Sequence, residues 1–497
     1  MMQRRILIMT LDSEAVFSAR AATLGSHHGL PYIPGAALLG YAAARLYSKI
    51  TSKEAYNAFH SGSVRFSNGF PLLSSGEIAF PAPACLRKQK DASIPAGPDG
   101  SIDGGKLRIL PGGEFILDDG RKAQSEAYRP GYLTLSSREH QTSMGSRMMT
   151  AIENDKNRAA SEQLFSFQYV AEAAKFAASI EVDVDDDVDP KISETIFKIF
   201  DSGRLNLGRS GGTGFGGEIG VEILPDSAGR VWPDNLGVTG TKLTLWLLSD
   251  LAVNDPRTGL PSLAPRPEWL GLPEGTLIPD ASFMTFRRYA PYNRYLDTAD
   301  QERCVIEQGS VLRFELKEPD RFNPGVLDRG LGLYCEVGLG RVCANPTFLN
   351  GTVPKFIDTP CRLSVPAKLE THVAKSMAYA ENEYASSIQI WAEARVSEKK
   401  YNLEDDAFLL NSLEELRKWY VEYRTNQADD GAGPTSAQWN HVSSGDLKKF
   451  AQGNESDIVA WLTTKASDTL WNNNEPRKRA FLKKLANGGR RIAGGAQ

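Results

Sequence analysis

Cysteine and histidine are both scarce in this sequence. Its 497 residues include 5 cysteines and 6 histidines. The cysteines form no C-x-x-C pair, and they are Cys85, Cys304, Cys335, Cys343 and Cys361. So few and so scattered thiols argue against a structural zinc site and against a disulfide framework. We therefore expect a cytoplasmic protein that holds no metal ion and no other cofactor.

Long hydrophobic runs and a strong charge imbalance are also missing. The apolar run at residues 6–9 is far too short for a signal peptide or a membrane span, so no membrane is expected as a partner. The net charge is −4, so no field of the whole protein attracts nucleic acid, and any polyanion site must be local. The length suffices for two or three domains.

Several familiar motifs are absent or stand in the wrong context. The sequence contains no G-x-x-x-x-G-K-[ST] loop, and no H-R-D or D-F-G element of a kinase. G-x-G-x-x-G is matched by Gly212, Gly214 and Gly217, and G-x-S-x-G by residues 208–212. Both motifs require a helix to follow, whereas strand-like alternation follows here. Nucleotide-binding and hydrolase readings are therefore excluded.

Glycine, by contrast, is concentrated in two stretches that also carry arginine. We call residues 208–217 (GRSGGTGFGG) the first glycine loop and residues 330–342 (GLGLYCEVGLGRV) the second glycine loop. Glycine runs are costly to order, so they are retained where the backbone needs positive φ or a very close approach to a ligand. A plain surface loop is the alternative for either stretch.

Hydrophobic periodicity predicts the remaining elements. Residues 5–11 are predicted to form a strand, Pro34 to open an alanine-rich helix, and Asp189 to cap a helix over 191–200. The segment 242–250 (KLTLWLLSD) resembles the opening 5–13 (RILIMTLDS), which suggests a second, related half. Further expectations are a strand at 164–169, a helix-like stretch at 148–162, a solvated strand end at 181–189, and helices at 411–424, 446–452 and 456–463 before a basic tail.

Arginine and aromatic residues are mixed at 285–294. This mixture is typical of single-stranded RNA binding, in which bases stack on rings and arginine meets phosphate. The alternative is a strand whose aromatic side chains face the core. The candidate residues are Arg287, Arg288, Tyr289, Tyr292 and Arg294.

The motif Y-I-P-G-[AS]-x-L-x-G at residues 32–40, followed by a helix, a glycine-rich loop and a strand, resembles the RAMP superfamily of CRISPR-associated proteins. Looser spacings around residues 64–71, 140–165, 248–250 and 288–311 are most similar to the type III-D subunit that caps the 5′ handle of the guide RNA. Ala36 and Ala37 depart from the pattern, because relatives often carry serine and a basic residue there.

The resemblance implies an α+β fold of two ferredoxin-like (RRM-like) domains with glycine-rich loops. The first would span 1–235 with an insertion near 84–130, the second 236–350, and a mainly helical region with a basic tail would follow at 351–497. The implied function is a non-enzymatic crRNA-binding subunit of an antiviral effector ribonucleoprotein. It would cap the 5′ handle and dock backbone RAMP subunits, with the large polymerase-like subunit or a separate nuclease nearby and target RNA contacted indirectly.

The candidate RNA-binding set combines both loops with the aromatic segment. Backbone amides of glycine can bind phosphate oxygens, and arginine adds charge-assisted bonds. The set comprises Arg20, Arg209, Ser210, Gly211, Gly212, Gly214, Phe215, Gly216, Arg287, Arg288, Tyr289, Tyr292, Arg294, Gly338, Gly340 and Arg341.

Two alternatives place catalysis in the same chain. A metal-independent endoribonuclease that processes precursor crRNA would need a histidine base beside a cation, which His140, His27 or His28 could supply with Arg20 or Arg147. A target-cleaving backbone subunit would use a loop aspartate, for which Asp12 is the nearest candidate.

Overall fold

The structure is a computed structural model that describes residues 2–19, 26–97, 100–116, 120–153, 158–183, 188–209, 217–293, 298–357 and 361–364. These residues belong to one compact unit, Met1–Val365. The predicted C-terminal helices and basic tail lie outside the described residues. So do Arg20, Arg294, and the middle of the first glycine loop with Ser210, Gly211, Gly212, Gly214, Phe215 and Gly216.

The architecture is mixed α/β, with many strands and few helices. The α-helices are α1 (Gly35–Leu46), α2 (Ser52–Phe59) and α3 (Pro190–Phe200). The strands up to residue 235 are β1 (Met2–Leu11), β2 (Ser26–His27), β3 (Val64–Phe66), β4 (Phe70–Pro71), β5 (Phe80–Pro81), β6 (Leu86–Gln89), β7 (Leu107–Ile109), β8 (Ser125–Ala127), β9 (Tyr132–Leu133), β10 (Glu139–His140), β11 (Met144–Glu153), β12 (Arg158–Val170), β13 (Lys175–Asp183), β14 (Arg204–Asn206) and β15 (Glu218–Pro225).

The strands after residue 235 are β16 (Lys242–Leu247), β17 (Gly275–Leu277), β18 (Phe286–Tyr289), β19 (Tyr292–Asn293), β20 (Thr298–Ala299), β21 (Arg303–Ile306), β22 (Val311–Leu316) and β23 (Val342–Ala344). Short 3-10 turns occur at Tyr47–Lys49, Gly104–Lys106, Asp226–Ala228, Pro267–Leu270, Pro279–Ala281, Pro319–Arg321, Pro324–Arg329, Cys335–Val337 and Thr347–Leu349. No helix in the described part of the chain is long and apolar enough to cross a bilayer.

The first sheet has the order β14-β15-β1-β13-β3, with β4 also paired to β13. β1 is its centre, and it runs antiparallel to both β13 and β15. Helix α1 follows β1 and α3 follows β13, so the chain has the sequence βαββαβ around this sheet. The predicted strand at 5–11 and helices after Pro34 and over 191–200 are confirmed, and Asp189 caps α3 by accepting a hydrogen bond from the Lys191 N–H.

One apolar face of each helix covers this sheet. In α3, Ile192, Ile196 and Phe200 recur every fourth residue, and all three are buried. In α1, Leu38, Ala42 and Leu46 do the same. Together with Met9 and Ile180 of the sheet and neighbouring apolar residues, these side chains form the first core.

The second sheet repeats the strand order of the first. Its order is β17-β22-β16-β23. In this sheet β16 lies between β22 and β23, as β1 lies between β13 and β15 in the first sheet. The described residues between these strands include 3-10 turns, at Pro267–Leu270 and Pro324–Arg329, where the first half has α-helices. A separate core forms around Leu245, Phe314 and Val342.

A smaller β-rich segment at 80–140 bridges the two sheets. It contains the three-stranded sheets β10-β9-β5 and β7-β6-β8. The indole N–H of Trp246 in β16 donates to the Pro81 carbonyl at 3.0 Å, and the Ala84 N–H donates to the Gly309 carbonyl at 2.8 Å. These contacts attach the segment to the second sheet.

The helix-like interpretation of residues 148–162 is wrong. Residues 144–153 and 158–170 are the antiparallel strands β11 and β12, and the predicted strand at 164–169 is part of β12. The sequence at 154–157 (NDKN) is rich in turn-forming residues, and Thr150 and Ile152 are β-branched. Cross-strand pairing satisfies the backbone of both segments, which an isolated polar helix could not match.

Candidate nucleic-acid interface

Both ends of the first glycine loop are fixed to the residues that follow β1. The Arg209 N–H donates to the Val16 carbonyl at 2.9 Å, and the Gly217 N–H donates to the Glu14 carbonyl at 3.2 Å. The two ends of the loop are also bonded to each other, because the Leu207 N–H donates to the Gly217 carbonyl at 2.9 Å. The two ends of the loop therefore lie next to each other. We call these ends, residues 207–209 and 217 with the backbone of 14–16, the mouth of the first glycine loop.

Glycine is required at this mouth for two reasons. Gly208 and Gly217 have φ of +96° and +58°, a region that disfavours residues with a Cβ. A Cβ on Gly217 would also stand 2.3 Å from the Leu207 carbonyl oxygen. The close approach expected from the glycine content is thus made by the chain to itself at the loop ends.

An arginine and two stacked rings lie beside the mouth. β2 pairs in parallel with β12 and sets His27 opposite Phe167, and their rings stack with centroids 4.4 Å apart. The Arg209 guanidinium carbon lies 5.5 Å from the Phe167 ring centroid. Arg209 is exposed, whereas His27 and Phe167 are largely buried. The sequence analysis named Arg209 and His27 as candidates and missed Phe167. The alternating apolar and polar residues at 165–169 (FSFQY) indicated only a strand.

The surroundings of His27 disfavour the charged form of its imidazole. Burial, together with the positive charge of Arg209, lowers the pKa of the His27 imidazole below its ordinary value. A second arginine, Arg147, forms an ion pair with Glu14, and its guanidinium carbon lies 5.7 Å from the Tyr169 ring centroid. This edge of the protein therefore presents guanidinium groups backed by aromatic rings.

The other two candidate histidines lie elsewhere or in a different setting. His28 is exposed next to β2. His140 is half-buried in β10 of the bridging segment, where burial lowers the pKa of its imidazole. The structure thus brings His27, and not His140, next to Arg209.

The second glycine loop has a different setting, because its last residues, 338–342, are buried in the protein. Gly338, Gly340 and Arg341 are all buried. A Cβ on Gly338 would stand 2.7 Å from the Phe66 carbonyl oxygen of β3, and the Gly340 N–H donates to the Asp250 carbonyl at 2.7 Å. This loop joins the second half of the unit to the first.

The N-terminus of α1 is enclosed by the same contact. The Gly35 N–H donates to the Asn68 side-chain oxygen at 2.9 Å. A Cβ on Gly35 would meet the carbonyl oxygens of Phe66 and Val337, at 2.1 and 2.6 Å. The glycine of the Y-I-P-G motif therefore permits close packing of β3 and the second glycine loop.

We call the contacts between the two halves of the unit the joint, and Glu181 is its central acceptor. The expectation of a solvated strand end at 181–189 is therefore wrong for Glu181 and Asp183. Both side chains are almost wholly buried. The carboxylate of Glu181 forms ion pairs with the guanidinium groups of Arg4, Arg65 and Arg341. It also accepts hydrogen bonds from Trp232 Nε1 at 3.0 Å and from Ser179 Oγ at 3.1 Å.

These cations decide the protonation state of Glu181. Burial alone would raise the pKa of its carboxyl group, but the charges of Arg341, Arg4 and Arg65 outweigh burial and lower the pKa to about 2. Arg341, a candidate for RNA contact, thus donates to Glu181 and to the Asp328 carbonyl within the chain.

The arginine and tyrosine segment forms a two-stranded ribbon, β18 with β21, extended by β19 with β20. Alternation along β18 divides its candidates. Arg287 is held by Asp250 and donates to the Tyr32 hydroxyl at 3.3 Å, and its guanidinium carbon lies 4.5 Å from the Tyr289 ring centroid. Arg288 and Tyr292 are 73% and 64% exposed. Phe286, absent from the candidate set, is exposed as well.

On the buried side of this ribbon, Arg287 has its counter-charge within the chain, on Asp250. Burial opposes the charged form of Arg287, but its interactions with Tyr32 and with the Asp250 carboxylate prevail and raise the pKa of its guanidinium group. Asp250 also accepts from the Gln308 N–H at 2.9 Å. The Asp250 carboxylate thus holds Arg287 and the Gln308 N–H, and the Asp250 carbonyl accepts from the second glycine loop.

Comparison with known proteins gives structural similarity only. No protein-family model matches the chain, and no curated protein matches it. Its structure is similar to a chain of the type III-B Cmr-beta complex bound to cognate target RNA and AMPPnP, with 12% identity, a TM-score of 0.32, and coverage of 65% of this chain and 87% of that one. The complex bound to cognate target RNA gives 13% identity, a TM-score of 0.32, and coverage of 65% and 88%. Cmr4 gives 11% identity, a TM-score of 0.22, and coverage of 45% and 99%.

Proposed function

We propose that this chain is a crRNA-binding subunit of a type III-D-like CRISPR effector ribonucleoprotein, which caps the 5′ handle of the guide RNA and docks the backbone RAMP subunits. The proposal includes two ferredoxin-like domains, at 1–235 with the insertion near 84–130 and at 236–350, and a C-terminal region at 351–497. Crossed strand order in two sheets and the Y-I-P-G motif support this division.

The observation that carries the proposal is the mouth of the first glycine loop. An exposed guanidinium group lies over an aromatic ring at the point where the backbone bonds hold the ends of the first glycine loop. Arginine binds phosphate oxygens, and the largely buried Phe167 ring packs against the guanidinium group of Arg209. The loop amides of residues 210–216 would add neutral donors to the same phosphate backbone.

The exposed side of the β18–β21 ribbon is the second proposed RNA contact. Arg288, Tyr292 and Phe286 present one cation and two rings to solvent. Such mixtures bind single strands with little dependence on sequence. In this proposal Arg287 and Arg341 are positioning residues, because each is bound to a buried carboxylate of the chain.

The test is a comparison of Arg209→Ala with Arg257→Ala. Arg257 is an exposed arginine paired with Asp255, so its removal changes the net charge equally but leaves the loop mouth intact. We expect Arg209→Ala to weaken binding of handle RNA about tenfold, as loss of a charge-assisted contact would, and to reduce the salt dependence by about one phosphate contact. Fluorescence anisotropy measures both quantities, and equal affinities for the two variants would contradict the proposal.

His27 stacks on Phe167, the ring over which Arg209 lies, and this arrangement favours a second candidate function, metal-independent cleavage of precursor crRNA. A general base and a cation for the developing charge are the two groups that such cleavage needs. Labelled repeat RNA incubated with the protein in EDTA tests it. A discrete cut that His27→Ala abolishes and His140→Ala leaves unchanged would establish the nuclease and overturn the non-enzymatic proposal.

A further inference from the structure

The small sheet β7-β6-β8 of the bridging segment has one buried face and one open face. Leu86, Leu107 and Ile109 lie on the buried face and are at most 1% exposed. Neighbouring residues of a strand point to opposite sides of the sheet, so the residues between them lie on the other side. We call that side the outer face, and its half-buried or exposed residues are Arg87, Gln89, Arg108, Ser125 and Ala127.

Two arginines stand directly opposite each other on the outer face. Arg87 of β6 is the register partner of Arg108 in the antiparallel strand β7. Residues in this relation have Cβ atoms about 4.5–5.5 Å apart, and like charges there destabilise a sheet. Lys106, two residues before Arg108, is exposed and adds a third cation. A local arrangement that is unfavourable for folding is typical of a functional site.

Neither guanidinium group has a carboxylate partner among the residues that the structure describes. Arg87 Nη2 donates to the Ser125 carbonyl at 2.7 Å, and Arg87 Nε is buried without an acceptor. Arg108 Nη1 donates to the carbonyls of Gly105 and Leu107, at 2.7 and 2.8 Å. These neutral carbonyl oxygens hold both side chains in place, and they leave both positive charges without a counter-charge.

Three acidic residues of the same segment have partners of their own. Glu126 pairs with Lys88 at 3.0 Å, and Glu114 pairs with Lys122 at 2.7 Å. Asp103 Oδ1 accepts from a backbone N–H of the following turn at 2.9 Å. The outer face itself contains no carboxylate, so its charge is positive although the whole chain is acidic. A local field of this kind attracts a polyanion.

The surroundings of the two arginines leave room for a ligand. Ala127 of β8 is the register partner of Arg87 on the side away from Arg108, and its side chain is a single methyl group. The Arg108 guanidinium carbon lies 4.7 Å from the ring centroid of Phe115, which is half-buried. An aromatic ring beside a guanidinium group steadies it while its donors stay directed outward in its plane.

We propose that the outer face binds the phosphate backbone of single-stranded RNA, with Arg87 and Arg108 as the phosphate ligands and Lys106 as an added charge. Guanidinium groups match phosphate oxygens in geometry and charge. Contacts to phosphate carry no sequence information, so this binding is independent of sequence. The face uses no residue of the first glycine loop. The choice of RNA over another polyanion rests on the proposed function.

Labelled oligouridylate, which lacks any handle sequence, is the probe, and fluorescence anisotropy at several salt concentrations is the readout. We expect Arg87→Gln with Arg108→Gln to weaken binding about tenfold for each arginine removed. The salt dependence should fall by about two phosphate contacts. Arg257→Gln with Arg321→Gln is the matched control, because each of these exposed arginines is paired with a nearby carboxylate. Equal affinities and salt dependences for the two double variants would overturn the proposal.

The double variant Arg87→Lys with Arg108→Lys separates binding from folding. It keeps both charges and loses the forks of donors, so it should keep the wild-type salt dependence and lose part of the affinity. A lysine variant with the salt dependence of the glutamine variant would overturn the proposal, because the loss would then come from a changed fold.

The handle site and the outer face fail in different measurements. The effect of Arg209→Ala on handle RNA decides the first, and the effect of the variants at 87 and 108 on oligouridylate decides the second. If Arg209→Ala has no effect while the variants at 87 and 108 weaken oligouridylate binding, the outer face stands without the handle site. A wild type that does not bind oligouridylate would overturn the outer face whatever the result with handle RNA.

Discussion

At the residue scale, the buried carboxylate of Glu181 organises the joint between the two halves. Its side chain is 1% exposed and is shared by guanidinium groups of β1, β3 and the second glycine loop. Burial of a single carboxylate would be unfavourable, so its contribution depends on all of these partners being present. Glu181 therefore reports on the integrity of the joint rather than on RNA contact.

Glu181→Gln should lower the free energy of unfolding by about 3–5 kcal/mol, because it leaves buried guanidinium groups without their counter-charge. Urea denaturation measures the change. Asp226→Asn is the matched control, since Asp226 pairs with the same Arg4 but is 56% exposed, and there we expect at most about 1 kcal/mol. Similar losses in the two variants would show that burial at Glu181 has no special effect.

The same carboxylate predicts a loss of stability in acid. Its pKa is lowered to about 2 in the folded protein, from an ordinary value of 4.5. Its stabilising effect is therefore complete above about pH 4.5 and is lost progressively as the pH falls towards 2. Unfolding free energies measured across this window should decline more steeply for the wild type than for Glu181→Gln, and parallel curves would contradict the assignment.

At the element scale, two loops of similar composition have different surroundings. The first glycine loop is closed at its ends by its own backbone bonds and bordered by Arg209 and Phe167. The second packs against β3 and α1 near its end, where Gly338 allows backbone to approach backbone. Composition alone does not separate these cases, because both need the same freedom from side chains.

Gly217→Ala should destabilise the protein by about 1–3 kcal/mol more than Gly203→Ala. Both glycines have positive φ, but only at Gly217 would a Cβ meet a carbonyl oxygen, whereas nothing lies within 4 Å of a Cβ at Gly203. Chemical denaturation gives the difference. If the mouth also positions Arg209, Gly217→Ala should weaken handle RNA binding and Gly203→Ala should not.

At the scale of the whole molecule, two sheets with one strand order share a polar joint and a bridging segment. The joint comprises the Glu181 cluster and the Arg287–Asp250 pair with Tyr32, and the bridge is attached through Trp246. Because these contacts connect separate cores, unfolding of one half would leave buried charges of the other unpaired. The two halves should therefore open together.

Hydrogen exchange followed by mass spectrometry tests this cooperativity. We expect amides of β1 and β16 to exchange with the same opening free energy in the wild type. Arg341→Met removes the contact from the second glycine loop to Glu181, and it should let β16 exchange earlier than β1. Unequal protection of the two strands in the wild type would mean that the halves open independently.

Local periodicity was enough to identify the elements that cover the first sheet. The strand at 5–11, the helix over 191–200 and its Asp189 cap were predicted correctly, because side-chain period and capping chemistry are local properties. The relation of 242–250 to 5–13 was likewise visible as an apolar run ended by serine and aspartate. Residues 148–162 were misread, since the pairing that makes them strands involves partners in the rest of the hairpin.

The sequence by itself determined the strand at 5–11, the helix over 191–200, the positions of both glycine loops, and that Arg209 stands at a loop. Only the tertiary structure decided that Arg341 and Glu181 are buried partners 160 residues apart, that Phe167 lies beneath Arg209, and that the second glycine loop faces protein. A loop has the same charge and the same glycine content whether it is exposed or buried. What distinguishes them is the set of atoms brought next to them by folding, and that set comes from distant parts of the chain.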